Sequence, residues 1–152
     1  MRERDGDLIK LAQDGHFDII THGCNCWCRM GAGIAPQIKE AFPSAWEADK
    51  ETDSGDIQKL GTFIVGKEYV KGNKTLRVVN AYTQYRYDQY SKPLDYEALT
   101  LCMRKINHQF KGMSIGLPKI GAGLAGGDWN RIKKIIETEL NTMDVWIVNY
   151  KK

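Results

Sequence analysis

Two glycine-rich turns constrain the fold of this 152-residue chain more than any other feature. The first is Met30-Gly31-Ala32-Gly33-Ile34-Ala35, and the second runs from Ile120 to Trp129. Each follows an apolar, strand-like stretch and leads into a segment with helical periodicity. Such a turn lets backbone N–H groups approach an anion, because no Cβ intervenes and a helix start adds positive potential. Two turns about ninety residues apart therefore predict a cradle for a nucleotide or sugar-nucleotide diphosphate. The alternative is close helix–strand packing, which also needs small residues.

Strand and helix patterns alternate along the chain and predict a single α/β domain over residues 1–152. Apolar runs typical of strands occur at 17–22, 62–65, 75–81, 113–117 and 145–150. Helical spacing occurs at 33–42, at 95–110 and after Asp128, which has the position of an N-cap. Gly72-Asn73 predicts a hairpin, and the polar stretch 50–59 predicts a loop or frayed helix. The continuous apolar runs indicate strands covered on both faces, with ligands beyond their carboxyl ends.

Composition excludes several classes of protein. No run of eighteen apolar residues exists, so we expect no membrane span or membrane partner. The charged start Met1-Arg2-Glu3-Arg4-Asp5 is unlike a secretory signal, which favours a cytoplasmic protein. The net charge is only +3 and the basic residues are scattered among acidic ones, which argues against a nucleic-acid partner. We expect a monomer.

Three of the four cysteines, Cys24, Cys26 and Cys28, alternate along the chain, and the fourth is Cys102. The alternation suggests a metal site. Structural zinc sites, however, use Cys-x2–4-Cys pairs that a second pair or histidines complete, and the chain has no such second cluster. We therefore expect reduced, buried thiols and no metal.

Four motifs together resemble the macro domain. They are Gly6-Asp7-Leu8, His22-Gly23-Cys24-Asn25, Cys28-Arg29-Met30-Gly31-Ala32-Gly33-Ile34-Ala35 and Pro118-Lys119-Ile120-Gly121-Ala122-Gly123-Leu124. They are most similar to the branch that contains terminal ADP-ribose glycohydrolases and ADP-ribose-1″-phosphate phosphatases. The resemblance covers nearly the whole chain. It implies a three-layer α/β/α fold with a mixed, mostly parallel central sheet, ADP-ribose as the ligand, and no cofactor.

The resemblance also assigns roles at the adenine end of the ligand. Asp7, with Leu8 beside it, would accept a hydrogen bond from the adenine amino group, since an ionised carboxylate only accepts. The alternative for Asp7 is an N-cap for a helix over 8–13, and the two roles are compatible. Tyr150 at the end of the last strand would lie against adenine, with a core or rim position as the alternative.

Further roles concern the ribose and the phosphates. Asn25 would bind the distal ribose, or else stabilise a turn. His22 and Asn25 are the catalytic candidates, and a structural role is the alternative for His22. The amides assigned to the phosphates belong to Gly31, Ala32, Gly33, Ile34, Ala35, Ile120, Gly121, Ala122, Gly123, Leu124 and Ala125.

Departures from the family pattern bear on the chemistry. The resembled glycohydrolases use a lysine after the central strand and an aspartate after the second turn, and these positions align with Ala81 and Ala125. Asp128 lies three residues beyond the expected aspartate. The tyrosine-rich segment 82–90 would flank the pocket, with base stacking as the alternative. We therefore expect a slow ADP-ribose-1″-phosphate phosphatase. The alternatives are a non-catalytic ADP-ribose-binding module and a lysine-independent hydrolase acting on ADP-ribosylated protein.

Overall fold

The computed structural model describes residues 1–88 and 90–151. Its strands are β1 (Arg2–Gly6), β2 (Ile19–Asn25), β3 (Phe63–Val65), β4 (Tyr69–Lys71), β5 (Lys74–Gln84), β6 (Ser114–Leu117) and β7 (Asp144–Tyr150). Its helices are α1 (Leu8–Gln13), α2 (Ala35–Ala41), α3 (Pro43–Lys50), α4 (Tyr96–Gln109) and α5 (Trp129–Glu139), with a 3-10 turn at Ile57–Lys59. No helix in the described ranges is long and apolar enough to cross a membrane.

The seven strands form a mixed, mostly parallel sheet in the order β1-β7-β6-β2-β5-β3, and β4 also pairs with β5. β1, β7, β6, β2 and β5 are parallel to one another, whereas β3 and β4 run antiparallel to β5. Five strands therefore end at the same edge of the sheet, which is the edge where ligands bind in folds of this type.

Helices cover both faces of the sheet, as the sequence predicts. On one face α4 and α5 pack through Leu99, Met103, Ile106, Ile132 and Ile136, all 0% exposed. On the other face, a second cluster joins residues of α1, α2 and α3 to β2 and β5. The three-layer α/β/α architecture is confirmed, and it fixes the loops at the carboxyl edge.

Several local predictions are confirmed. Gly72 and Asn73 connect β4 to β5 as a hairpin. The carboxylate of Asp128 caps α5 by accepting from the Asn130 amide at 3.0 Å. Asp7 likewise caps α1, so the N-cap role given as its alternative for a helix over 8–13 is present.

Two elements are missing from the sequence-based prediction. β1 lies at the sheet edge and its first four residues are exposed, so it lacks the apolar run by which the other strands are recognised. α3 occupies 43–50, where no helix was predicted, and buries only Ala45 and Asp49. A helix with so narrow an apolar stripe has little periodicity to detect.

Candidate functional site

A cavity of about 580 Å³ opens at the carboxyl edge of the sheet. The first glycine turn, after β2, and the second, after β6, form two of its walls, and the segment between β5 and α4 forms the third. The lining residues are Gly23, Cys24, Asn25, Arg29, Met30, Gly31, Ala32, Gly33, Ile34, Ala35, Gln84, Tyr87, Asp88, Tyr90, Pro118, Lys119, Ile120, Gly121, Gly123 and Leu124. The two turns therefore face one cavity.

The first turn presents backbone amides that have no other acceptor. Within the described ranges no backbone hydrogen bond is donated by the amides of residues 31–34, whereas the Ala35 amide donates to Ala32 O at 3.3 Å. Gly33 has φ +63°, a conformation that favours glycine. A Cβ on Gly31 or Gly33 would meet no protein atom within 4 Å. The absence of side chains leaves this wall open to a ligand.

The second turn is held by internal hydrogen bonds that leave selected amides free. The Gly127 amide donates to Gly121 O at 2.8 Å, and the Ala122 amide donates to Lys119 O at 3.2 Å. In the described part of the chain, the amides of Gly121, Gly123 and Leu124 have no such acceptor, and all three residues line the cavity.

Ala122 and Ala125, which were predicted to bind ligand, are absent from the cavity lining. Ala125 is 8% exposed and belongs to the core cluster beneath α4 and α5, and Ala122 packs against that cluster. Their small side chains therefore serve packing, which is the alternative that the sequence left open.

Asn25 lines the cavity and also holds the loop that follows β2. Its Nδ2 donates to Arg29 O at 2.8 Å, and its Oδ1 accepts from the Trp27 amide at 2.9 Å. The turn role weighed for Asn25 is thus present. One Nδ2 proton and the outer lone pair of Oδ1 stay available to a ligand, so a ribose role for Asn25 stays a prediction.

His22, a catalytic candidate from the sequence, is absent from the cavity lining. Its side chain is 1% exposed, and Nε2 lies 2.7 Å from Asn80 Oδ1. Asn80 Nδ2 donates to Ala45 O at 2.8 Å, so Oδ1 is the acceptor and His22 Nε2 carries a proton. Burial lowers the pKa of His22 to about 4, against an ordinary 6.5. This geometry favours a neutral structural histidine and lends no support to catalysis.

The buried imidazole makes stability depend on pH. The unfolded chain takes up a proton near pH 6.5, while folded His22 stays neutral down to about pH 4. Lowering the pH through this window therefore favours the unfolded state, by up to about 3 kcal/mol. We expect the urea concentration at the unfolding midpoint of the wild type to decrease as the pH is lowered from 6.5 to 4. In His22→Gln, which has no imidazole to protonate, the decline should be shallower; equal slopes would contradict this assignment.

The predicted adenine residues lie at the same sheet edge but outside the cavity lining. Gly6 and Tyr150 pair across the ends of β1 and β7, and Tyr150 is 63% exposed. Asp7 Oδ1 accepts from the amides of Ile9 and Lys10, so the cap occupies one carboxylate oxygen. Leu8 is 4% exposed and belongs to the core. An adenine role for Asp7 stays a prediction, and the Leu8 side chain serves packing.

A buried polar cluster adjoins the loop that leads from β2 to the first glycine turn. Lys59, 8% exposed, donates to Thr52 Oγ1 at 2.8 Å and to Cys28 Sγ at 3.5 Å. Tyr82 donates to Asp49 Oδ1 at 2.7 Å. The Cys28 thiol in turn donates to Asp49 O at 3.2 Å. These bonds tie the loop after β2 to α3 and β5, and so hold the first glycine turn in place.

The thiols are suited to packing more than to reactions. Cys24, Cys26 and Cys102 are buried, and all four cysteines are free. Burial raises the pKa of the Cys24 thiol well above its usual range, so the one thiol that lines the cavity stays protonated. Within residues 1–88 and 90–151, no group of three or more His, Cys, Asp or Glu side chains is arranged to hold a metal ion.

Sequence reasoning missed ten of the lining residues as site residues, among them Arg29, Lys119 and Gln84. Ala81, aligned with the glycohydrolase lysine, is 0% exposed in the middle of β5. The β5 residue that faces the cavity is Gln84, an amide. Tyr87 and Tyr90 also line the cavity, as predicted for the tyrosine-rich segment 82–90 that would flank the pocket. Arg29 and Lys119 each stand directly before a predicted glycine turn, and that position is the signal that could have identified them.

This architecture defines an α/β domain with a ligand cavity between two glycine-rich turns at the carboxyl edge of a parallel sheet. The chain belongs to the macro domain family, because the model of the Macro domain matches residues 21–136. Among solved structures, the macrodomain of Thermus aquaticus DarG superposes with a TM-score of 0.71 at 22% identity, covering 99% of this chain and 97% of that one.

Three relatives extend over most of the chain. An uncharacterised 17.5 kDa protein of bacteriophage T4, from the tk-vs intergenic region, is 36% identical and covers 96% of this chain and 94% of its own length. The ADP-ribose glycohydrolase OARD1 of Bos taurus is 29% identical, over 95% and 87% respectively. The ADP-ribose 1″-phosphate phosphatase of Meyerozyma guilliermondii is 23% identical, over 94% and 95%. The two of these relatives with named activities are thus an ADP-ribose glycohydrolase and an ADP-ribose 1″-phosphate phosphatase.

Proposed function

We propose that this protein binds ADP-ribose in the cavity and hydrolyses ADP-ribose-1″-phosphate to ADP-ribose and phosphate. The observation that carries the proposal is that seven residues lining one cavity, at 31–34, 121, 123 and 124, have backbone amides that donate to no other acceptor in the described part of the chain. Backbone amides at glycine-rich turns are suited to phosphate oxygens. The volume of about 580 Å³ lies in the usual range for small-molecule sites.

The order of the strands suggests how the ligand is oriented. The diphosphate would lie between the turns that follow β2 and β6, which are neighbours in the sheet. The distal ribose would lie by Asn25. Adenine would extend past β6 toward the ends of β7 and β1, where Tyr150 and Asp7 lie. The predicted adenine residues then fall outside the cavity itself because they form its extension along the sheet edge.

The proposed reaction transfers the phosphoryl group to water. A water oxygen bonds to phosphorus, the bond between phosphorus and the 1″ oxygen breaks, and a proton passes to that oxygen, giving ADP-ribose and inorganic phosphate. Free amides can stabilise the charge on the transferring oxygens without moving. Because the cavity thiol is protonated and His22 is buried, neither supplies a nucleophile or base. We therefore expect slow turnover that depends on positioning.

Removal of ADP-ribose from modified protein is the second candidate, and the relationship to OARD1 favours it. An amine that attacked the anomeric carbon would need to reach the distal ribose. Ala81 is buried and Gln84 carries no amine. Lys119 lines the cavity, but it follows β6 instead of β5. The geometry thus favours hydrolysis without a lysine adduct.

Calorimetry and phosphate release test the proposal together. We expect ADP-ribose to bind with micromolar affinity, about −8 kcal/mol, and the purified protein to release phosphate from ADP-ribose-1″-phosphate. Binding without phosphate release would indicate a binding module. No heat and no competition at millimolar ADP-ribose would contradict the proposal altogether.

Asp7 provides a test of the adenine end. Asp7→Ser keeps a helix-capping oxygen but shortens the side chain, so it should weaken ADP-ribose binding by about 1–3 kcal/mol with little change in unfolding midpoint. Ribose-5-phosphate, which has no base, should bind more weakly to the wild type and be insensitive to the substitution. If calorimetry shows equal losses for both ligands, Asp7 acts through local structure alone.

A further inference from the structure

The charged side chains that line the cavity are Arg29, Asp88 and Lys119. The carboxylate of Asp88 is engaged within its own segment. Its Oδ1 accepts from the amide and hydroxyl of Ser91 at 2.8 and 2.7 Å, and from the Tyr90 amide at 3.1 Å. Its Oδ2 lies 3.6 Å from Arg86 Nε. The carboxylate therefore stabilises its loop, and the two cations give the cavity its available charge.

Arg29 is placed next to the predicted ribose site by its own backbone. Its carbonyl accepts from Asn25 Nδ2 at 2.8 Å. Its guanidinium lies over the ring of Tyr87, 4.9 Å from the ring centroid. Across residues 1–88 and 90–151, no carboxylate forms an ion pair with it. The side chain is thus oriented by an aromatic face while its hydrogen-bond donors stay available.

We propose that Arg29 determines which group the site accepts on the distal ribose, by binding the phosphate of ADP-ribose-1″-phosphate. This inference rests on the proposed function. A guanidinium presents a planar pair of donors that matches two phosphate oxygens, and stacking on an aromatic ring preserves that plane. Lys119 lies on the other glycine-turn wall, after β6. The two cations therefore lie on different walls, and only Arg29 adjoins the predicted ribose residue Asn25.

The consequence is a preference for the phosphate ester over its product. ADP-ribose carries a neutral hydroxyl where the ester carries a phosphate, so it offers Arg29 no anionic partner there. Arg29 should therefore contribute to binding of the ester and little to binding of ADP-ribose. This difference would favour product release after each turnover, since the interaction disappears when the phosphate leaves.

The experiment compares wild type, Arg29→Gln, Arg29→Lys and Tyr87→Ala. The readouts are the Kd of ADP-ribose, the Kd of the ester in rapid competition, and KM and kcat for phosphate release. Arg29→Gln should raise the Kd of the ester by about 10- to 100-fold and leave the Kd of ADP-ribose nearly unchanged. Arg29→Lys keeps the charge but loses the paired donors, so its loss should be intermediate. Tyr87→Ala should raise the Kd of the ester less than Arg29→Gln does.

Arg131→Gln is the matched control. Arg131 lies 3.8 Å over the Tyr96 ring in the same kind of contact, but outside the cavity lining, so neither ligand should be affected. A preference for the ester that survives Arg29→Gln, or an equal loss for both ligands, would overturn the inference while the proposed function stands. A wild type that binds neither ligand would overturn both.

Discussion

Gly123→Val is expected to abolish ADP-ribose binding and to leave the protein folded. A Cβ at this position would meet no protein atom within 4 Å, and Gly123 is not among the residues with positive φ. A side chain at this position therefore needs no left-handed backbone conformation, and its Cβ displaces no protein atom. Valine does project two methyl groups from the cavity wall, where the amides of Gly123 and Leu124 would meet a phosphate.

Gly121→Val in the same turn is the contrasting variant. Gly121 has φ +75°, and a Cβ there would lie 2.9 Å from Leu94 Cδ1. We expect this variant to lose stability as well as binding, by about 1–3 kcal/mol or more. Calorimetry and thermal unfolding distinguish the two variants. The assignment of this wall would be contradicted if Gly123→Val lost as much thermal stability as Gly121→Val, or if it bound ADP-ribose like the wild type.

Asn25→Ala is expected to lower the rate of phosphate release from ADP-ribose-1″-phosphate by about 10²-fold or more. The substitution removes the predicted ribose contact and both hydrogen bonds that hold the loop from Trp27 to Arg29. Asn25→Asp keeps the acceptor for the Trp27 amide but loses the donor to Arg29 O, so we expect an intermediate rate. Asn130→Ala, on the exposed surface of α5 outside the cavity, is the control.

The same assay tests the reaction class. The wild type should release no ADP-ribose from glutamate-modified protein, because neither Ala81 nor Gln84 on β5 supplies an amine and the cavity lysine, Lys119, follows β6 instead. Strong release of protein-linked ADP-ribose would contradict the phosphatase proposal and would support glycohydrolase activity instead. Undiminished phosphatase activity in Asn25→Ala would instead show that the distal ribose lies elsewhere in the cavity.

The elements with strong periodicity could be predicted from sequence, and the convergence of the cavity walls only in part. α5 follows from an aspartate N-cap and isoleucines spaced by threes and fours, all of which are local signals. The glycine turns were assigned to one site because parallel strands end at one edge. His22 is buried beside Asn80, which lies 58 residues away along the chain. Arg29 faces Tyr87 across the same sequence distance, which local pattern does not encode.

The pairing of β2 with β6 sets the distance between the two glycine turns. Each glycine turn extends from one of these two adjacent strands, whose backbones are held about 5 Å apart by their hydrogen bonds. The backbone hydrogen bonds of the sheet, and not the side chains, therefore set the separation between the two sets of amides. Side chains in the two hydrophobic layers can therefore change without altering the spacing between the two turns.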